Sequence, residues 1–195
     1  MSLSIRKYKK NECITFKSTK RKHGGLSNMA PGFPLFIKGV KIKTSEALYQ
    51  ALRFPDYPHI QKKIISYSSP ISAKKYGRTQ IERTRSDWDF HRFKIMKFCI
   101  ELKLYQNMNT FSEALYDTNG LPIVEYTDKD KVWGAIQEGP FYIGTNALGR
   151  LLMELREKLK ANTFKLTIPK IPNFKFLGEQ IHFDQFNVIH EDRLL

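Results

Sequence analysis

The stretch TSEALYQALRF, residues 44–54, carries two stripes at once. Ala47, Leu48, Ala51 and Leu52 form an apolar stripe, and Glu46, Tyr49, Gln50 and Arg53 a polar one at spacing i, i+3, i+4, i+7. Both spacings fit a helix of about 3.6 residues per turn. Thr44 or Ser45 is placed to cap its N-terminus. Pro55 disfavours helical geometry at the residue before it, so the helix ends near Phe54. One stripe must face the core; the other faces water or a ligand. Taken alone, a polar stripe is a solvated face, and an acid such as Glu46 in the first turn is favoured by the helix dipole.

Around this helix the chain reads as a succession of short elements. Residues 33–43, FPLFIKGVKIK, form a hairpin about Lys38-Gly39. HIQKKIISYS predicts a short helix, and a further helix starts after Pro70 in SPISAKKYGRT. Residues 86–107 are the longest helical segment, with Ser86 or Asp87 as cap and Trp88, Phe98 and Leu102 on its apolar face. Residues 109–117 predict another helix, Asn119-Gly120 a turn, and 121–127 a strand; KVWGAI is a second strand or a turn. Residues 146–162 give the clearest helix, capped by Asn146, with Leu148, Leu151, Leu152, Leu155 and Leu159 as its buried stripe. ECITF reads as a short strand. The expected fold class is α+β: one helix-rich domain over 1–195 with a small antiparallel sheet, its core about 16–160 and 163–195 an extension packed on the body.

The 195 residues suffice for a real core, and 41% apolar content excludes a disordered chain. Lysine and arginine outnumber acids 33 to 19, a net charge of +14. That predicts attraction to polyanions: nucleic acid, nucleotides or an anionic membrane. The excess is concentrated at the start, where Arg6, Lys7, Lys9, Lys10, Lys17, Lys20, Arg21 and Lys22 face one acid, Glu12. Such a run is a solvated face or a nucleic-acid arm. Cys13 and Cys99 are the only cysteines and suggest no disulfide framework. No apolar run approaches the roughly 20 residues that span a bilayer, and the basic N-terminus lacks the apolar segment of a signal peptide. The expected setting is cytoplasmic, without a membrane partner.

Several chemistries lack their motif. Gly24-Gly25 is not followed by the lysine of a P-loop, and there is no GxGxxG, HxxxH, CxxC or GxSxG. No metal and no cofactor is expected. Catalysis falls to carboxylates, lysines and aromatics.

The motifs GGLSNM (24–29), SEALYQA (45–51), RSDWD (85–89), IVEYTDKDKVWG (123–134) and TNALGRLLMELR (145–156), in this order, resemble the NADAR (YbiA-like) family from about Phe16 to Lys160. The resemblance implies N-glycosidase chemistry on ribosyl–nitrogen bonds. Some members are similar to enzymes that hydrolyse early riboflavin-pathway intermediates. Others are antitoxins that remove ADP-ribose from guanine in nucleic acid and are partnered with DarT-type toxins.

Carried over position by position, the resemblance makes Gly24, Gly25, Ser27 and Asn28 a ligand-facing loop whose amides can meet phosphate oxygens. It makes Glu46 the first choice for catalysis, with Tyr49 and Gln50 lining the pocket. Asp87 and Trp88 match its Asp-Trp pair; Trp88 stacks a base or ribose, or is a core anchor with Asp87 as cap. Glu125, Asp130 and Trp133 match its fourth motif, and Asn146, Gly149 and Arg156 its last. Many members carry a lysine where this chain has Arg53, and a guanidinium cannot act as a nucleophilic amine. Lys74 is the candidate replacement. In this reading Glu46 and Glu125 are the carboxylate pair, with Asp130 as support, and Lys74 captures a ring-opened sugar as a Schiff base.

Three functions follow as expectations. The first is removal of ADP-ribose from guanine in nucleic acid, which the positive charge favours, with a DarT-type toxin as partner. The second is hydrolysis of small ribosylaminopyrimidine phosphates. The third is a non-catalytic ADP-ribose- or nucleic-acid-binding module, which Arg53 favours.

Overall fold

The computed structural model describes residues 4–186. Among them the elements run β1 (Arg6–Lys9), β2 (Ile14–Phe16), β3 (Leu35–Ile37), β4 (Val40–Ile42), α1 (Ser45–Ala51), α2 (Pro58–Ser66), α3 (Pro70–Thr79), α4 (Trp88–Gln106), α5 (Met108–Tyr116), β5 (Ile123–Glu125), β6 (Ile136–Glu138), β7 (Phe141–Gly144), α6 (Ala147–Lys160), β8 (Lys175–Phe176) and β9 (Glu179–Gln180). The architecture is α+β and helix-rich, as the sequence predicts. It gathers into two compact units. The first is the chain up to Pro31 with Asn107–Leu166, and the second is Gly32–Gln106 with the chain from Thr167 onward. The last nine residues of the 163–195 extension lie outside the described residues.

The first unit holds a three-stranded antiparallel sheet, β1-β7-β6, with Arg6 opposite Gly144 and Ile136 opposite Ile143. Beside the expected antiparallel sheet there is a parallel pair, β2 with β5, in register Ile14 to Ile123. KVWGAI is a turn that runs into β6, and Ala135 alone bridges back to Tyr126. Helix α6 packs on β5 through Gly149, where a Cβ would lie 2.2 Å from the Ile123 carbonyl oxygen. Only glycine allows that approach. Leu148, Leu151, Leu152 and Leu155 are buried as expected, while Leu159 is half-buried. Arg156, also buried, donates to the Thr118 hydroxyl at 2.7 Å and to the carbonyls of Leu121 (2.7 Å) and Gly120 (3.1 Å). It thereby holds the Asn119-Gly120 turn, whose two residues both have positive φ.

In the second unit the β3–β4 hairpin turns at Lys38 and Gly39, both at positive φ. Helix α1 packs against α2, α3 and α4. The Phe98 ring on α4 meets Phe174 at 5.2 Å and Phe186 at 5.8 Å, so aromatic residues after Thr167 complete this core. Gln106 closes α4 onto the hairpin, donating to the Phe36 carbonyl and accepting from its amide, both at 2.8 Å. No described helix is long and apolar enough to cross a membrane.

One buried group makes this unit pH-sensitive. Lys103 on α4 is almost wholly enclosed, its Nζ 4.2 Å from the centre of the Phe33 ring. Burial holds its ammonium well below the ordinary lysine range. The unfolded chain keeps a pKa of about 10.4, so it binds the extra proton and stability rises with pH up to that value. Lys103→Met keeps the length and removes this dependence. Its urea midpoint is expected above wild type near neutral pH, with the gap closing towards a pH of about 10. Parallel curves for the two proteins across that range would contradict it.

Candidate active site

The question raised by residues 44–54 has a clear answer: both stripes are buried. Every residue of α1 is enclosed, with Glu46 2% exposed, Gln50 3% and Tyr49 6%. The cap is Thr44, whose hydroxyl accepts from the Ala47 amide at 3.2 Å. The α-helix stops at Ala51 rather than Phe54; Leu52, Arg53 and Phe54 follow in tight turns.

A buried carboxylate must be paired or used, and the polar stripe of α1 is wired around Glu46. Gln50 Nε2 donates to Glu46 Oε1 at 2.8 Å. Arg53 Nη1 donates to the other end of the same amide, Gln50 Oε1, at 3.3 Å. The guanidinium therefore fixes which way the amide faces, and the amide presents its NH2 to the carboxylate. Arg53 is further held by Thr84 Oγ1 at 3.2 Å and lies over the Trp88 ring at 5.0 Å. Its Nε is buried without a hydrogen-bond partner. Gly77 on α3 leaves room for this arrangement, because a Cβ there would sit 3.1 Å from Gln50 Oε1.

From α3 comes the second charged group. Lys74 Nζ stands 4.0 Å from Glu46 Oε1, and its side chain is 38% exposed. The pair joins a buried acid to a cation that solvent reaches. Tyr49 and Trp88 stack at 5.0 Å and 48° beside it. Burial first, and then the charge of Glu46, push the Tyr49 hydroxyl well above its ordinary range, so it stays a neutral donor. The same two causes hold the Cys99 thiol protonated.

Asp87 has a structural employment. Arg85 reaches both of its oxygens, the second at 3.0 Å, and His91 Nε2 lies 3.3 Å away. The Arg85 hydrogen bond holds the Asp87 carboxyl below the usual carboxylate range. Arg85 also donates to the Pro172 carbonyl at 2.7 Å, which ties the start of α4 to the late segment of the same unit.

Six of the expected residues therefore form one cluster in the second unit: Glu46, Tyr49, Gln50, Arg53, Lys74 and Trp88. The other candidates belong to the first unit. Residues 24–26 form a single 3-10 turn. The amides of Gly24, Leu26 and Ser27 already donate to Arg21, His23 and Gly24 carbonyls within the loop. This corrects the phosphate-cradle expectation, since those three amides are spent. Ser27 and Asn28 are buried. Asn146 is no side-chain cap either: it sits at φ 50° and makes no capping bond. Its side chain instead accepts from the Glu125 amide (3.0 Å) and donates to the Ile123 carbonyl (2.8 Å). Asn146 thus clamps β5 just where Glu125, half-buried, ends the strand. Asp130 Oδ1 accepts from the Val132 and Trp133 amides, both at 2.9 Å, and shapes their turn. Trp133 is half-buried on that turn.

Sequence reasoning missed Gly77, Thr84 and Cys99 as neighbours of the cluster. Gly77 left a signal, because a glycine inside a helix costs about 1 kcal/mol relative to alanine and marks close packing. Thr84 and Cys99 left none.

The comparisons with known proteins agree with this geometry. The NADAR domain model matches residues 15–160. The N-glycosidase YbiA of Escherichia coli is 34% identical over 146 residues, which is 75% of this chain and 88% of that protein. A riboflavin biosynthesis protein of Vibrio vulnificus is 31% identical over 147 residues, 75% of this chain and 38% of that larger protein. The NMR structure of the Escherichia coli protein YbiA superposes with a TM-score of 0.65 at 32% identity, covering 81% of this chain and 90% of the other. Motif order, fold and match together place the chain in the NADAR family.

Proposed function

We propose that this chain is an N-glycosidase that removes ADP-ribose from guanine in nucleic acid. The N-glycosidase class rests on family membership and on identity to YbiA across three quarters of the chain. The observation that carries the chemistry is the buried Glu46 carboxylate with the Lys74 amine 4.0 Å away. Cleavage of a ribosyl–nitrogen bond builds positive charge at the anomeric carbon, and a fixed carboxylate steadies it in a water-poor site.

Lys74 gives the second half of the reaction. The sugar ring opens as C1–O4′ breaks, and the lone pair of the attached nitrogen forms a C1–N iminium. Glu46 takes a proton from Lys74, whose amine then adds to C1. The bond from C1 to guanine breaks, and the departing nitrogen takes that proton back. Water hydrolyses the lysine imine to release the sugar and restore the amine. The +14 charge supports a polyanionic substrate over a small one.

A second reading is favoured by the riboflavin-biosynthesis relative: the substrate is a ribosylaminopyrimidine phosphate. A side-by-side assay decides between them. ADP-ribosylated guanine oligonucleotide and ribosylaminopyrimidine phosphate are offered separately, and products are weighed by mass spectrometry. Release of ADP-ribose from the oligonucleotide, with the small substrate untouched, is the expected result. Turnover of the pyrimidine alone overturns the proposal, and salt-dependent binding without turnover of either leaves a binding module.

A further inference from the structure

A cleft of about 710 Å³ opens in the first unit, lined by residues 13–18, by Arg21, Lys22 and His23, and by Tyr126. None of these residues belongs to the cluster around Glu46. We propose that this cleft binds the sugar-phosphate backbone of a single-stranded nucleic acid, and so holds the polymer whose modified base is hydrolysed. The inference rests on the nucleic-acid reading of the substrate.

Charge is the first support. The acids near the cleft are already matched: Asp128 takes Lys17 at 2.7 Å on both oxygens, and Glu12 takes Lys9 at 2.9 Å. Arg21 and Lys22 are exposed and have no ion-pair partner among the described residues. They stand next to each other on the rim as uncompensated cations. Ring surface is the second support. Tyr126 is half-buried in the wall, with Lys17 Nζ 4.7 Å from its centre and Tyr142 tilted against it at 5.4 Å. His23 lies on the other side of the same cleft, at φ 61°. Cations beside aromatic rings in an open groove are the equipment of single-strand binders.

Continuity is the third support, and it favours a polymer over a free nucleotide. Cys13, in the cleft, packs with Tyr8 of β1 against Val124, Ala135 and Tyr142. Its thiol donates to the Lys10 carbonyl at 3.8 Å. The basic strand Arg6–Lys9 therefore runs straight into the cleft at the corner formed by Lys10–Glu12. The cationic track is longer than any single phosphate or pyrophosphate needs. It gives the charged run at the start of the sequence a place in the fold.

The test pairs two double variants of equal charge change. Arg21→Glu/Lys22→Glu alters the cleft; Lys41→Glu/Lys62→Glu alters exposed positions of the second unit. Circular dichroism and melting confirm that both fold, and Arg21→Gln/Lys22→Gln serves if the reversal does not. Binding of unmodified, fluorescently labelled oligo-dT is followed by anisotropy across a salt series. Losing two phosphate contacts lowers the slope of log K against log salt by about 1.4, at about 0.7 per phosphate on a single strand. The cleft variant is expected to lose that slope and to bind at least about tenfold more weakly than the control pair, since each phosphate contact is strongly salt-coupled. Release of ADP-ribose from a modified mononucleotide is expected to be unchanged, and release from an oligonucleotide to fall. Equal losses in the two variants overturn the cleft. Because the binding arm needs no hydrolysis, the two ideas separate. A wild-type protein that binds through Arg21 and Lys22 but hydrolyses no oligonucleotide keeps the cleft and loses the substrate. One that hydrolyses oligonucleotide with binding indifferent to the reversal keeps the substrate and loses the cleft.

Discussion

Glu46→Gln is expected to lower kcat/KM by about 10²–10⁴-fold, the range of a positioned acid–base group, without loosening the fold. The substitution is nearly isosteric and keeps an oxygen where Gln50 Nε2 donates. What goes is the negative charge, and with it both the support for a cationic C1 and the proton acceptor 4.0 Å from Lys74. Stability should not suffer. A carboxylate 2% exposed carries a desolvation penalty that an amide does not. Two measurements check this together: ADP-ribose release under single turnover, and the urea midpoint. The informative result is a rate lost at an unchanged or higher midpoint, with ligand binding retained by calorimetry. A variant as active as wild type takes Glu46 out of the reaction. A variant that loses rate and midpoint in step makes Glu46 a structural residue of α1.

The periodicity of residues 44–54 was enough to place α1 and to pick out its polar stripe, but not to say where that stripe points. A helix enclosed on every side and a helix half in water share the same spacing when the second partner is polar. Here that partner is Lys74 and the Gly77 surface of α3, some thirty residues on, and only the packed chain brings them together. Lys74 was nevertheless reached from the sequence, because Arg53 cannot supply an amine and a substitute was needed. Arg53 turned out to hold Gln50, a task that suits a fixed charge with several donors.

Other readings failed for equally physical reasons. Arg6–Lys9 is a strand, yet its residues are those of a solvated run; it forms through backbone pairing with β7, which no side-chain pattern announces. Asn146 looks like a cap because asparagine favours that position. It also tolerates the left-handed conformation, and the second property won, freeing its amide to clamp β5. Asp130 matched a motif, but its carboxylate is occupied by two backbone amides of its own turn. The turns at Lys38-Gly39 and Asn119-Gly120 were legible because positive φ narrows the choice of residue so sharply.

A covalent imine at Lys74 is the second large effect to expect. Treating the protein with cyanoborohydride during turnover should reduce the imine and leave the ribosyl group on the peptide that contains Lys74, read by mass spectrometry. Lys74→Gln should abolish the adduct and lower turnover by about 10²–10⁴-fold, as for other positioned groups. It should cost little stability, because the Lys74 side chain is 38% exposed and an ion pair at such a site contributes little. A rescue makes the argument specific to the amine. In Lys74→Ala/Arg53→Lys the amine is moved from α3 to the end of α1, beside the Gln50 amide that contacts Glu46. Arginine there stays protonated and cannot attack; lysine can. Return of trapping, now on the peptide containing position 53, would mean that the reaction needs an amine near Glu46 and accepts it from either helix. Wild-type turnover with no trapped adduct, together with an active Lys74→Gln, would mean that water attacks C1 directly and that Lys74 only balances the charge of Glu46.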